Sequence, residues 1–301
     1  MKKLMFAIAA LAAGATMAGV TSANIVGYNQ NSTGGALNFS GGAMFLPVNG
    51  DDVTILGDWL AKGMDANQDC IQLLRTSNAT TEKSYTYVDR AFLLAEYELD
   101  PLDPDDMEYL DELEAEYKGW WKAGEWGFDG SQANDAEIDC GRGFLTLNGS
   151  GKNVTFQYSG EAPTARTKVT ISGQTPMICN YIPRDIKLAE VTVEGMDANQ
   201  DGFQKLRTTN ATTEEAYTYV SRAFLLVEYE LDPSDKDDME YLDELEEEYA
   251  GWWMAGEWGF DGSQADDKDW ACGVSFLGLM GSKVESGSMN VWFPSSIPVA
   301  E

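Results

Sequence analysis

The chain has 301 residues, 50 acidic against 20 basic, a formal charge of −30 and no histidine. Without imidazole, nucleophile systems built on Ser-His-Asp or Cys-His and ordinary His-containing zinc sites are excluded. That negative charge, offset by no basic stripe, repels nucleic-acid phosphates and anionic lipid, while 44% hydrophobic residues supply ample material for a core.

Lys2 and Lys3, an apolar stretch from Leu4 through Val20 and the small residues Thr21-Ser22-Ala23 read as a signal peptide over 1–23. The stretch is short and mildly hydrophobic for a membrane span, and no second long apolar segment follows. The expected product is exported, to the periplasm, the cell surface or the medium, with no transmembrane segment in the mature chain.

Beyond it, short β-like runs bounded by Gly, Asn and Asp predict strands at 53–56, 71–74, 84–88, 143–147 and 153–158. In the last of these Val154, Phe156 and Tyr158 alternate with Thr155 and Gln157, the period of a half-buried strand. Residues 91–99 read as the first helix of a hairpin, with a long strand as the other reading. Asp103 then caps a second, with Pro104 at its first position, and Met107, Leu110, Leu113 and Tyr117 fall at helical spacing to bury against the β core. This insertion, about 91–118, is strongly acidic: from Glu96 to Glu116 there are 11 carboxylates and no base.

Most of this recurs at an offset of 132 residues, with a short insertion before the last strand: positions 63–150 match 195–282 at 66 of 88. Asn153-Val154-Thr155-Phe156 finds a counterpart in Asn290-Val291-Trp292-Phe293, and Phe39-Ser40-Gly41 aligns with Ile171-Ser172-Gly173. The fold class is therefore mainly β (α+β), with tandem duplicated β-rich domains over 24–160 and 168–301. Each carries an acidic helical insertion, the second at about 223–250 with 12 carboxylates between Glu228 and Glu248. A period this long marks domain duplication rather than a solenoid.

The opening Ala23-Asn24-Ile25-Val26-Gly27-Tyr28 resembles the mature start of many uncharacterised secreted bacterial proteins. Asp69-Cys70-Ile71-Gln72, Tyr85-Thr86-Tyr87, Gly119-Trp120, Gly141-Arg142-Gly143-Phe144 and Ser159-Gly160-Glu161 likewise resemble motifs within the units of those proteins. The second unit departs from that pattern at Phe203 and Ser275. The resemblance implies secretion and a β-rich fold, and brings no activity with it.

Three kinds of candidate site follow. Asp65-x-Asn67-x-Asp69 and Asp197-x-Asn199-x-Asp201 have the spacing of calcium loops, although Thr76 and Thr208 stand where a bidentate carboxylate belongs; the other reading is an Asx-rich turn before a strand. Trp126 and Trp258, in the repeated Glu-Trp-Gly-Phe-Asp-Gly, could stack sugar rings or fill a core. Cys70, Cys140, Cys179 and Cys272 suggest disulfides in an exported chain, simplest as Cys70–Cys140 and Cys179–Cys272.

The acidic helices are either a solvated face or a surface for divalent cations or a basic protein. The expected protein is a secreted, non-enzymatic surface or matrix protein whose duplicated domains serve binding or self-assembly, with calcium as the candidate cofactor. The alternative is a secreted glycan-binding or carbohydrate-active protein, glycoside hydrolysis being the enzyme class least at odds with the residues.

Overall fold

Alternation decides the sheets. In Asp69–Leu74 the side chains of Asp69, Ile71 and Leu73 are buried while Cys70, Gln72 and Leu74 are half-buried, the two-residue period of a strand with one face on the core. The computed structural model describes residues 25–32, 35–41, 53–124, 127–128, 130–139, 141–207, 209–256, 259–260, 262–281 and 288–296. Among these the chain is mainly β with four α-helices. The expected signal peptide lies outside them.

The first half runs β1 (Ile25–Ser32), β2 (Gly35–Gly41), β3 (Val53–Ile55), β4 (Leu60–Lys62), β5 (Asp69–Leu74) and β6 (Thr81–Val88). Helices α1 (Arg90–Glu96) and α2 (Pro104–Tyr117) follow, then β7 (Gly119–Lys122), β8 (Glu137–Asp139), β9 (Gly143–Asn148) and β10 (Val154–Glu161). The second half repeats the order: β11 (Thr167–Ser172), β12 (Met177–Cys179), β13 (Ile186–Lys187), β14 (Thr192–Glu194), β15 (Asp201–Leu206) and β16 (Thr213–Val220). Helices α3 (Arg222–Glu228) and α4 (Lys236–Tyr249) lead to β17 (Gly251–Met254), β18 (Asp269–Trp270), β19 (Ser275–Met280) and β20 (Ser288–Phe293).

Each half forms a five-stranded antiparallel sheet (β2-β9-β5-β6-β7; β12-β19-β15-β16-β17), a three-stranded sheet (β1-β10-β4; β11-β20-β14) and a two-stranded ribbon (β3-β8; β13-β18). Aromatic side chains fill the space between sheets. Phe144 of β9 meets Phe156 of β10 edge-on at 6.1 Å, and Trp59 leans on Phe144 at 5.7 Å. At position 59 plus 132 the second half has Val191, yet the aromatic mass is kept: Trp270, standing where the first half has Ile138, stacks on Phe276 at 4.3 Å. In each half a tryptophan thus packs on the equivalent phenylalanine, supplied from a different position along the chain.

Register corrects two of the sequence alignments. Gly41 pairs with Gly143 and Cys179 with Ser275, so Cys179 stands where the first half has Gly41, and Ile171 belongs to a different sheet from Phe39. The cause is a connection of different length, 42–52 against 180–185. Likewise Phe156 lies opposite Ala61 and Val291 opposite Val193, so Phe156 matches Val291 rather than Phe293. A slip of two residues leaves the same faces inward, which is why the sequence tolerates it.

The largest buried cluster draws from both halves. Where they meet, a Cβ on Gly143 would lie 2.5 Å from Ser275 Oγ and 3.1 Å from Met177 Cβ. The Cys179 N–H donates to the Gly141 carbonyl at 2.9 Å, and the Thr175 N–H to the Thr76 carbonyl at 2.6 Å. The glycine-for-serine difference between the copies is thus a fitted contact between them.

The helical insertion leaves and rejoins the sheet at register partners, Val88 and Gly119, so it is an excursion between two adjacent strands. Asp89 caps α1 by accepting the Phe92 N–H at 2.7 Å, and Asp103 caps α2 by accepting the Asp105 N–H at 2.9 Å. The predicted stripe is correct in residues and different in target. Leu110 and Leu113 are buried and Met107 and Tyr117 half-buried, but they pack with Ala66, Val88, Phe92 and Leu93 in a satellite cluster separate from the main core. The second half repeats this with Ala198, Val220, Phe224, Leu225, Leu242 and Leu245.

Candidate functional site

The turn that carries Asp65, Asn67 and Asp69 is anchored at both ends. Met64 is buried, its sulfur accepting from the Tyr87 N–H at 3.1 Å, and Ala66 enters the satellite cluster. Between them the oxygens that a cation would need are engaged by protein donors. Asp69 accepts from the Asp65 N–H at 2.8 Å, the Ser150 N–H at 2.9 Å and Ser150 Oγ at 2.7 Å. Asp65 accepts from the Asn67 N–H, Gln68 Nε2 and Lys152 Nζ, each at 3.2 Å. Asn67 turns away and donates to Glu96 Oε2 at 2.8 Å.

The second copy does the same: Asp197 N–H to Asp201, Asn199 N–H and Gln200 Nε2 to Asp197, and Asn199 Nδ2 to Glu228. These side chains close an Asx turn and tie it to the end of α1 or α3. Among the described residues no group of three Cys, Asp or Glu is arranged to hold a metal.

Structure also joins two motifs that the sequence left separate. A Cβ on Gly127 would lie 2.4 Å from Asn67 Oδ1, and one on Gly259 2.6 Å from Asn199 Oδ1, with φ of 86° at both glycines. Gly127 and Gly259 therefore lie directly on the Asx turns, and only glycine allows that approach. Phe128 and Phe260 then enter the satellite clusters. Trp126 and Trp258 lie outside the described residues.

Beside the first turn is a groove of about 400 Å³ lined by Asp65, Asn67, Asp89, Phe92, Glu96 and Lys152. Its carboxylates are the ones just described plus Asp89, which caps α1. Asp69 is 2% exposed. Asp69→Ala should cost about 1–3 kcal/mol, because two backbone N–H groups and a hydroxyl lose their acceptor. Urea denaturation measures it; an unchanged midpoint would mean that the carboxylate does not hold the turn.

The acidic helices are partly neutralised from below. Arg90, first residue of α1, reaches Asp111 at 2.5 Å and Glu114 at 2.6 Å, and Lys118 reaches Glu114 at 2.8 Å. Bonds from Lys118 and then Arg90 hold the Glu114 carboxyl below its usual range. Arg222 likewise engages Asp243 and Glu246, while Lys236 pairs with Glu240. The remaining carboxylates on the outer face point to solvent beside an edge-to-face pair of tyrosines, Tyr97–Tyr109 and Tyr229–Tyr241, each at 6.2 Å. Tyr109 and Tyr241 are both 45% exposed. The arginine partners and tyrosine pairs escape a reading along one helix, because each forms between the two helices of a hairpin.

No disulfide is formed among the described residues. The expected Cys179–Cys272 bridge is absent because Cys272 Sγ is directed at the Ile182 carbonyl, 2.9 Å away, while Cys179 is buried at the end of β12. Cys140, the expected partner of Cys70, lies outside the described residues. Burial pushes the Cys70 thiol up to about 11. Alkylation of Cys70 should therefore be slow at about pH 8, where roughly one thiol in a thousand is ionised, and rise about tenfold per pH unit. Rapid labelling near neutrality would contradict this environment.

Fold and site together define a mainly β scaffold that carries two acidic helical hairpins. Compared with family models, curated proteins and solved structures, the chain matches none. No helix among the described residues is long and apolar enough to cross a membrane.

Proposed function

We propose that the protein is an exported, non-enzymatic surface or matrix component. Its scaffold presents two equivalent binding faces, the outer surfaces of the α1–α2 and α3–α4 hairpins, to a basic partner.

One observation carries this reading: where the two copies differ. Of the 22 differing positions in the aligned 88, four fall within 90–117, at Ala95, Leu102, Pro104 and Ala115. Others fall on buried scaffold positions, such as Ile71 and Phe203, Ile138 and Trp270, Thr146 and Gly278. Exposed side chains are ordinarily freest to vary, since a surface change costs within about 0.5 kcal/mol. Yet Tyr97, Glu98, Asp105, Glu108, Tyr109 and Glu112, none of whose side chains caps a helix, all return unchanged in the second copy. Retention of like-charge pairs such as Glu108 and Glu112, each unfavourable by about 0.2–0.5 kcal/mol, opposes stability and so supports a role in recognition. Two linked faces also raise avidity without new contacts.

Titration calorimetry with a lysine-rich peptide at low ionic strength tests it. Two sites per chain are expected, with affinity falling as salt screens the charges. Absence of binding, or binding that survives removal of both hairpins, would overturn the proposal.

A further inference from the structure

The sequence contains six Asn-x-Ser/Thr triplets, beginning at Asn31, Asn38, Asn78, Asn148, Asn153 and Asn210. This is the acceptor pattern for N-glycosylation in exported chains. The structure separates some of these sharply. Asn148 is 2% exposed and its Nδ2 donates to the Lys152 carbonyl at 2.5 Å, so its amide is closed to an enzyme. Asn78 and Asn210 are exposed, at the tips of the β5–β6 and β15–β16 connections.

There the triplet is folded on itself. The Thr80 N–H donates to Asn78 Oδ1 at 3.1 Å and Thr80 Oγ1 donates to the same oxygen at 2.6 Å. In the second copy the Thr212 N–H and Oγ1 reach Asn210 Oδ1 at 3.2 and 2.7 Å. Behind each hydroxyl stands an arginine: Arg75 Nη1 donates to Thr80 Oγ1 at 3.3 Å and Arg207 Nη1 to Thr212 Oγ1 at 3.2 Å. A cation donating to a hydroxyl makes that hydroxyl a better donor, so the guanidinium–hydroxyl–amide chain polarises the asparagine carboxamide. Two donors on Oδ1 draw electron density from the C=O and make an Nδ2 proton easier to remove.

We propose that Asn78 and Asn210 are paired N-glycosylation sites. The acceptor is Nδ2, and the co-reactant is a glycosyl donor whose anomeric carbon is joined to a diphosphate. The Nδ2–C1 bond forms as the C1–O bond breaks. The diphosphate leaves with the electron pair, and the amide proton passes to a base of the transferase. The chain supplies the exposed, polarised amide, and it does so on the β scaffold, independently of the helical hairpins.

Intact-mass measurement of the protein purified from the cells that export it is the test. A mass above that of the mature polypeptide is expected, removed by a peptide amidase that cleaves the Asn–sugar bond. Asn78→Gln and Asn210→Gln should each remove one glycan, and the double variant both. Thr80→Ala should act like Asn78→Gln although the asparagine is still present, Thr80→Ser should restore the glycan, and Asn148→Gln should change nothing. The unmodified polypeptide mass, or an excess that persists in the Asn78→Gln, Asn210→Gln double variant, would overturn the proposal.

Discussion

Trp270→Ala should destabilise the protein by about 3–5 kcal/mol, the range for truncating a large buried aromatic that leaves a cavity. The side chain is fully buried, stacked on Phe276 with ring planes 6° apart and 5.3 Å from Phe293, and Nε1 donates to the Val274 carbonyl at 2.8 Å. Alanine would remove the filler between two sheets. The first half offers an internal control, since it sets Trp59 against the equivalent phenylalanine, Phe144, and has Ile138 where Trp270 stands. Trp270→Ile alone should lose several kcal/mol, and adding Val191→Trp should recover a substantial part by rebuilding the first half's arrangement; neighbouring sites couple by about 0.5–3 kcal/mol. Chemical denaturation of the two variants reads the coupling directly. Additive losses would mean that the two positions do not fill one space.

Gly143→Ala is the second large effect expected, about 1–3 kcal/mol by overpacking. The added methyl would meet Ser275 Oγ at 2.5 Å, Ser275 Cβ at 2.8 Å and Met177 Cβ at 3.1 Å, all from the other half. Shortening the opposing residue should lift most of the penalty, so Gly143→Ala in a Ser275→Gly background should cost less than in the parent. Equal costs in the two backgrounds would show that the halves do not meet at this point. The pair also explains why the second copy departs from the Gly-x-Gly-Phe pattern: with the halves in contact here, one glycine and one serine fill the gap that two serines would overfill.

Much of the fold is legible along the sequence because its signals are local. The alternation in β10, the Asp103 cap with Pro104 behind it and the Leu110–Leu113 stripe each depend on neighbours within a few residues. The acidic helical segment is legible from its charge and spacing, whereas its excursion between adjacent strands is seen only in the pairing of Val88 with Gly119. What eludes a sequence reading is non-local. The slip between Gly41 and Cys179 is visible only in strand register, and the Trp59–Trp270 exchange only once both are seen over equivalent phenylalanines.

The Asx turn shows the same limit at the site. D-x-N-x-D spacing places oxygens near one another but does not say who donates to them, and here the donors include Ser150 and Lys152, over 80 residues away in sequence. Recurrence of the turn and of the glycine packed on it in both copies follows from their contact at Gly127 and Gly259.

Separation of scaffold and hairpin underlies the whole account, and excision tests it most directly. Because Val88 pairs with Gly119 and Val220 with Gly251, segments 89–118 and 221–250 can each be replaced by a two-residue Asn-Gly turn joining adjacent strands. Thermal unfolding followed by circular dichroism should then show the helical signal lost while the β signal still melts in one cooperative transition, at a lower temperature because the satellite clusters around Ala66 and Ala198 are gone. A chain without a cooperative transition would contradict it, since the hairpins would then be part of what folds the scaffold.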